Sequence, residues 1–352
     1  MKYFPTITIL GAGLTGLTIA YLLRDQPFDV RILEARDRVG GRILTDRKPD
    51  RAPVELGATW LGQQHTALNA FLAKEGLPIF EQVLGRTAIY EAMSTSPPQL
   101  VELPVNNDPS YRIAGGTSTL IQYLVDQLPP ERIQLNTTVG SVKSVGDRLE
   151  VYTNQGTYPS DYVVSTLPPF LLHSTIQFDP ALPIELNQIM ANTHTWMGES
   201  IKVALRFQEP FWRKPGASGT IFSNVGPITE FYDHSNVEDN HYALKGFLNG
   251  GYFHLDKEQR LEIVLNQLRK YYGSAVDQFT EYEEAVWRNE SFTFAEYHRP
   301  VLPHQNNGHP IYQQAYLDGK FFIAGAETAG QFPGYMDGAI RSAQQIFNHL
   351  TE

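Results

Sequence analysis

Thr6-Ile-Thr-Ile-Leu10, Gly11-Ala-Gly13-Leu-Thr-Gly16 and Leu17-Thr-Ile-Ala-Tyr-Leu-Leu23 follow one another without a break. The first run is β-branched and apolar, the composition of a buried parallel strand. The last run reads as an apolar helix, and the glycines between them have separate tasks. Gly11 makes the tight turn, Gly13 lets the backbone approach a pyrophosphate, and Gly16 lets helix and strand pack closely. Leu14 and Thr15 open the helix, whose unpaired N–H groups and positive dipole end face the phosphates. A second strand, Phe28 to Leu33, ends at Glu34, eighteen residues past Gly16. A carboxylate there accepts hydrogen bonds from ribose hydroxyls. A lone glycine cluster carries little weight; strand, fingerprint, helix, strand and acid in one register predict a dinucleotide-binding α/β unit.

Two further stretches extend the pattern. Glu34-Ala35-Arg36-Asp-Arg38-Val-Gly40-Gly41-Arg42-Ile-Leu-Thr45 places a second glycine pair and extra positive charge just past the acid. Near the other end, Lys320 to Ile323 reads as a strand. Gly325-Ala-Glu327-Thr328 follows as an acid-bearing turn, and Gly334-Tyr335-Met336-Asp-Gly338-Ala339 opens a last helix. A ligand would again meet a helix N-terminus.

Composition bounds the possibilities. A chain of 352 residues, 42% hydrophobic, can bury a large core and form two domains. The net charge of −10 disfavours nucleic acid and anionic membrane surfaces, and mildly favours a cationic small molecule. With no cysteine, disulfides, thiolate metal sites, cysteine nucleophiles and any cysteinyl bond to a cofactor are all excluded. The ten histidines show no metal-ligand spacing, so no metal is expected. Residues 4–23 are apolar, but Pro5, three glycines and four threonines make a poor membrane span. The expectation is a soluble, cytoplasmic protein.

Between the motifs, alternation and breakers outline the rest. A helix is expected from His65 to Glu75, a hairpin from Ile79 to Tyr90 turning at Leu84-Gly85, and a loop from Ser94 to Asp108. A helix at Leu120–Leu128 precedes strands at Ile133–Leu135 and Val139–Val145 and a β-meander through Tyr158. Tyr162 to Thr166 is a buried strand stopped by Pro168-Pro169. From Glu199 the pattern changes. Ile201, Val203, Leu205 and Phe207 alternate with Lys202, Ala204, Arg206 and Gln208, which predicts a half-buried strand of a different sheet. Further strands are expected at Gly219–Ser223, Thr229–Asp233 and Tyr242–Leu248, and a helix at Lys257–Tyr272.

With these motifs together, the chain resembles the flavin-containing monoamine oxidase family, over most of its length. The resemblance implies an α/β fold: a Rossmann-like FAD-binding domain, with a parallel sheet plus β-meander, and a second α+β substrate domain on a mixed or antiparallel sheet. The expected division is discontinuous, with residues 1–78, 111–198 and 288–352 binding FAD and residues 79–110 and 199–287 forming the substrate domain. The implied cofactor contacts are Gly11, Gly13, Leu14, Thr15, Gly16, Glu34, Ala35, Arg36, Gly40, Gly41 and Arg42. Gly57, Ala58, Thr59 and Trp60 join them beside the ring, with Val139 at the adenine, and then Thr166, Gly325, Glu327, Tyr335, Met336 and Ala339.

The family's chemistry is oxidation of an amine. Its α-carbon gives hydride to flavin N5, an imine leaves, and O₂ takes the electrons to become H₂O₂. Ser200-Ile-Lys202-Val and Glu209-Pro-Phe-Trp212 resemble the family's substrate-sheet strand, so Lys202 is the implied active-site lysine, whose charge favours electron transfer to O₂. Tyr297 and Tyr335 match the two tyrosines that flank the amine in an apolar slot, and Trp287 is implied near Lys202 and the flavin. Two departures stand out. Glu296 occupies the position where mitochondrial-type members carry the flavin-linking cysteine, so FAD is expected to be held non-covalently. Only about fifty residues separate Trp60 from Tyr111, where the family inserts helices that roof the substrate entrance. The site is then open, covered by another subunit, or built for a large substrate. The nucleotide motifs also suit a flavin desaturase or dehydrogenase acting on a C–C bond, or a non-catalytic FAD-binding subunit.

Overall fold

The strand Thr6–Leu10 lies at the centre of a six-stranded sheet, hydrogen-bonded in parallel to Asp29–Leu33 on one side and Tyr162–Ser165 on the other. Its five side chains are all buried, as a strand covered on both faces requires. Phe321–Ile323 continues the parallel array beyond Tyr162–Ser165, and Ile133–Gln134 closes the other edge. The computed structural model describes residues 3–213 and 217–352. The helix Leu14–Leu22 is apolar throughout, with eight of its residues buried beneath the last helix, Met336–Thr351. The first and last motifs of the chain therefore share one core, in which Leu17, Ile19, Ile340 and Ala343 are fully buried.

A four-stranded sheet hangs from the nucleotide side. It comprises the meander Val139–Val145, Arg148–Thr153 and Gly156–Ser160, with Gln177–Asp179 added in parallel. The third large sheet has seven strands, in the order Glu281–Val286, Ile201–Phe207, Tyr242–Leu248, Ile228–Asp233, Ala217–Ser223, Thr87–Glu91, Gln99–Glu102. The fold is thus the expected α/β architecture: a Rossmann-like parallel sheet with its meander, and a mixed, largely antiparallel second sheet.

Three local expectations are corrected. Residues 79–90 do not form a hairpin. Ile79–Glu81 pairs with Tyr111–Ile113, while Thr87–Glu91 lies parallel to Ala217–Ser223. The stretch expected as a loop contains the strand Gln99–Glu102, which pairs with Thr87–Glu91 at the sheet edge. The strand Ile201–Phe207 is buried on both faces, not one. Ile201, Val203, Leu205 and Phe207 pack with Val264, Leu265 and Leu268 of the helix Lys257–Tyr272, whose start Asp256 and Gln259 fix as a capping box. On the opposite face Ala204 and Ala243 meet Ala52, Val54 and Leu56. Small residues there let the segment 52–59 lie directly on the sheet, and Lys202 shares that face.

Candidate active site

The turn after the first strand is built as its glycines require. Gly11 adopts φ +102°, and a side chain at Gly16 would place Cβ 2.1 Å from the Gly11 carbonyl oxygen. Thr166 closes this turn, its hydroxyl donating to Leu10 O at 2.8 Å. Gly13 differs: its φ is −75°, and a Cβ built there meets no atom within 4 Å. It caps the helix without a side chain, so Leu14, Thr15 and Gly16 begin the helix with N–H groups directed into that space. Gly40 N donates to Ala12 O at 2.8 Å, and a Cβ on Gly41 (φ +55°) would stand 3.2 Å from Gly13 Cα. The two glycine motifs thus close on one another and leave a bare backbone cradle.

Glu34 is buried at the end of the second strand. Its carboxylate accepts from Ala12 N at 2.8 Å and Arg36 N at 2.9 Å, which fixes its direction and leaves Ala35 beside it. Val139 starts the meander, with an irregularity before Ser141. A bare cradle at an uncapped helix start, with a fixed carboxylate one strand away, suits the pyrophosphate and ribose of FAD.

The two arginines of the second motif are engaged by protein partners. Arg36 donates to Glu290 at 3.1 Å, to the Thr293 hydroxyl at 2.7 Å and to Phe292 O. It ties the second motif to the segment leading to Tyr297. Arg42 makes a two-pronged contact with Glu327, at 2.5 and 2.7 Å, and also donates to Trp196 O. Glu327 is fully buried and accepts from Trp196 N at 3.0 Å as well. Burial opposes the charge on Arg42, but the Glu327 carboxylate outweighs it and holds the guanidinium above its usual value. Gly325 (φ +141°) precedes this acid and is bonded to the Ser342 hydroxyl. Tyr335 opens the last helix without a side-chain cap, above buried Met336 and Ala339. The third motif therefore reaches the second through an ion pair.

Residues 57–60 lie between the two large sheets. A Cβ at Gly57 would be 2.2 Å from Arg42 O, so only glycine allows this approach. Ala58 N donates to Arg42 O, and the Thr59 hydroxyl donates to Gly57 O at 3.1 Å. The Trp60 indole donates to Gln82, with Tyr232 and Phe247 against its ring. From the seven-stranded sheet, the Lys202 ammonium is buried and donates to Gly57 O. Desolvation lowers its pKa to about 8, although Glu55 opposes the shift. The Trp287 indole donates to Leu56 O at 2.7 Å, and its backbone N–H bonds Ser200 O, so it stands beside Lys202.

Tyr297 and Tyr335 make no ring contact with each other among the described residues. The Tyr297 hydroxyl accepts from Thr195 N at 2.8 Å, and its ring stacks near His194. Tyr335, partly exposed, neighbours Trp196 at 5.8 Å, His65 at 5.5 Å and His304 at 6.3 Å. Rings of His194 and Trp196 connect one tyrosine to the other, at 6.4, 6.1 and 5.8 Å along the series. Burial lowers the pKa of both His65 and His194, which disfavours positive charge on these two rings. This aromatic wall borders a cleft of about 440 Å³, which His194, Trp196, Met197, Phe247, Leu248 and Pro303 line in part. Glu199 and Arg288, paired at 3.3 Å, also border it.

Sequence reasoning missed Trp196, His194 and a second buried lysine, Lys245. The lysine had a signal: in Tyr242–Leu248 it shares a face with Phe247, opposite Ala204 and Lys202 across the pairing. The buried Arg206 guanidinium is consumed by Ala52 O, Asp46 and Glu281, so it is not free to face a substrate carboxylate.

Among the described residues, no helix is long and apolar enough to cross a membrane, and no cluster of side chains could hold a metal. Residues 14–95 and 79–346 match the family described as flavin containing amine oxidoreductase. The chain is 23% identical to a probable flavin-containing monoamine oxidase A of Dictyostelium discoideum, covering 100% of this chain and 98% of the relative. It is 24% identical to the human flavin-containing amine oxidase B, over 98% of this chain and 85% of the relative. Among solved structures, a putrescine oxidase bound to putrescine superposes with a TM-score of 0.84 at 22% identity, covering 99% of each chain. A cyclohexylamine oxidase from Brevibacterium oxydans gives 0.84 at 18%, over 99% of this chain and 100% of that one.

Proposed function

Because the chain belongs to the family of flavin-containing amine oxidoreductases, it oxidises an amine with FAD, and we propose that Lys202, Trp287, Tyr297 and Tyr335 carry that reaction. Bound FAD supplies the two-electron chemistry, accepting from the amine and delivering to O₂. The bare glycine cradle, Glu34 and the uncapped helix starts at Gly13 and Tyr335 would hold it. With no cysteine in the chain, and Glu296 turned to Arg288, no cysteinyl–flavin bond can form, and the hold is read as non-covalent.

The single observation that carries the assignment is Lys202. A buried ammonium fixed on the carbonyl of Gly57 places positive charge beside the backbone strip 57–60, the part of the nucleotide side packed against the second sheet. Such a preorganised charge stabilises negative charge developing on O₂ without reorganisation during the step. Trp287 bonds the neighbouring carbonyl and keeps the strip in place. Tyr297, Tyr335 and the rings joining them form an aromatic wall. It favours the neutral amine over its ammonium form by excluding water, and it orients the hydrocarbon body.

The reading takes the cleft of about 440 Å³ as the amine's approach. Met197, Phe247, Leu248 and Pro303 suit an amine on an apolar frame. Residues 79–110 add Thr87–Glu91 and Gln99–Glu102 to the sheet edge and no helix, so this chain by itself is read as leaving the entrance open. Action in the cytoplasm belongs to the same proposal.

The test is a Lys202→Met variant loaded with FAD. Anaerobic bleaching by a panel of amines should keep its rate within a few-fold. Reoxidation on mixing with O₂ should slow about 100-fold, the scale for removing one preorganised charge. Reoxidation at the wild-type rate would remove Lys202 from this role.

A further inference from the structure

Two lysines, not one, are buried where the sheets meet. Lys202 is 5% exposed and Lys245 is fully buried. The strands Ile201–Phe207 and Tyr242–Leu248 are antiparallel with Lys202 opposite Phe247 and Ala204 opposite Lys245, so both lysines project from one face. Their Nζ atoms meet at Thr59, whose hydroxyl oxygen is 2.5 Å from Lys245 and 3.5 Å from Lys202. The Thr59 hydroxyl in turn donates to Gly57 O, the same carbonyl that accepts from Lys202. Gly57 O, Thr59 Oγ1 and the two amines therefore form one closed cluster, in contact with Trp60 and Phe247.

Two ammonium ions this close in a buried site repel strongly and need counter-charge. The surroundings provide little. Glu55 is the buried carboxylate on the adjoining strand. Its oxygens are committed to Thr117 N at 2.6 Å and the Thr45 hydroxyl at 2.9 Å, and among the described residues it forms no ion pair with either lysine. Glu230 on Ile228–Asp233 attracts Lys202 from farther off. Against these stands Arg112 from Tyr111–Ile113. Arg206, on the strand of Lys202, is paired with Asp46 and Glu281, and His234, which accepts from Glu55 N, is disfavoured as a cation by burial. The field around Lys245 comes from burial first and then from Lys202, and both disfavour its charge.

We propose that Lys202 and Lys245 form a pair holding a single positive charge, with Lys245 the neutral member that positions the Lys202 ammonium on Gly57 O. A neutral amine donates to the Thr59 hydroxyl and offers its lone pair to a Lys202 N–H, an arrangement two ammoniums cannot make. The Trp60 ring, 4.1 Å from Lys245, would favour charge there. Glu55 attracts both lysines, but Lys202 alone has a carbonyl acceptor and the attraction of Glu230. Lys245 is thus a positioning residue. This inference rests on the assignment of Lys202 made above, yet the pair can be observed whether or not that assignment holds.

The test uses the FAD-loaded enzyme with ¹⁵Nζ-labelled lysine, the two signals being identified by their loss in Lys202→Met and Lys245→Met. At pH 7, one ammonium signal belonging to Lys202 and one neutral amine belonging to Lys245 is the expected result. Two ammoniums, two amines, or a charged Lys245 beside a neutral Lys202 would overturn it. In Lys245→Met the Lys202 titration should move downward by about one unit, a tenfold change in its proton equilibrium, because the lone pair that stabilises the ammonium is lost. The pH at which reoxidation slows should fall with it. A purely structural Lys245 would leave that midpoint unmoved while lowering thermal stability. If Lys245→Met does not fold, the wild-type spectrum with Lys202→Met as reference still decides the charge count. If reoxidation ignores Lys202 while the spectrum shows one charge, the pair stands and the role assigned to Lys202 falls.

Discussion

Trp287 and Lys202 hold consecutive carbonyls of one strip of backbone: the indole bonds Leu56 O at 2.7 Å, and the ammonium bonds Gly57 O. The strand pairing makes this possible, since Val286 lies opposite Ile201 and Trp287 follows at the strand end, bonded to Ser200 O. Both side chains thus reach the segment that packs on the sheet through Ala204 and Ala243. Trp287→Phe keeps an aromatic ring but removes the donor together with the pyrrole part of the buried indole. The loss should be about 1–3 kcal/mol, seen as a lower midpoint of thermal unfolding. FAD should also dissociate faster from the variant, measured by release of flavin fluorescence. An unchanged flavin off-rate would separate Trp287 from cofactor positioning.

Gly13 and Gly16 give opposite outcomes for the same substitution. Gly16→Ala puts a methyl 2.1 Å from Gly11 O and 3.2 Å from Ile9, so the helix must move off the strand. Its cost falls on the fold, at about 1–3 kcal/mol for overpacking. Gly13→Ala meets no protein atom within 4 Å, and its φ of −75° suits alanine. The unfolding midpoint of the FAD-free chain should stay within about 1 °C of wild type by the same reasoning that surface changes are near neutral. FAD affinity should fall at least tenfold, because the methyl enters the pyrophosphate cradle. Titration of the visible flavin spectrum checks this, and undiminished affinity would move the phosphates elsewhere.

What could be read in the sequence was local. The turn at Gly11, the close packing at Gly16 and the fixed acid at Glu34 depend on neighbours within some twenty-five residues, so spacing alone predicts them. Pairings across the chain were not legible. Thr87–Glu91 finds its parallel partner at Ala217–Ser223, and nothing in either strand names the other, so a hairpin was the natural local reading. Arg36 and Arg42 carry positive charge in a phosphate motif, but their anchors Glu290 and Glu327 lie 254 and 285 residues away. Lys245 escaped because alternation of polar and apolar residues ordinarily marks a solvent face. Here that face is covered by residues 52–59, and the lysine becomes interior.

Acid should loosen the start of the first strand. Asp161 accepts from Thr6 N at 2.7 Å, from the Tyr3 hydroxyl at 2.6 Å and from Arg148 at 3.0 and 3.1 Å. Burial pushes its carboxyl up, but the Arg148, Tyr3 and Thr6 hydrogen bonds prevail and hold it at about 2. A folded-state value below the unfolded one stabilises the protein above pH ~4 and loses that contribution as pH falls towards ~2. With much of the network in solvent, the contribution is about 1 kcal/mol. Asp161→Asn should therefore lower the unfolding midpoint at pH 7 and leave the difference from wild type near zero at pH 2. A difference that persists at pH 2 would assign the effect to packing.

The Arg42–Glu327 pair does more than neutralise two charges, because it holds both ends of one peptide residue. Arg42 donates to Trp196 O at 3.0 Å, while Glu327 accepts from Trp196 N at 3.0 Å. Trp196 in turn stacks on His304 at 4.0 Å and lies 5.8 Å from Tyr335 at the edge of the cleft. Arg42→Gln leaves the fully buried Glu327 carboxylate without its cation, at a cost of about 3–5 kcal/mol. Glu327→Gln in the same chain removes the orphaned charge, so the double variant should be more stable than Arg42→Gln alone. Chemical denaturation of the four proteins in the cycle measures the coupling. The kinetic signature is separate: with Trp196 released, KM for amines should rise several-fold more than kcat falls. A cycle with additive stabilities would mean that the two side chains act independently. An unchanged KM in the double variant would mean that Trp196 is held by its ring contacts alone.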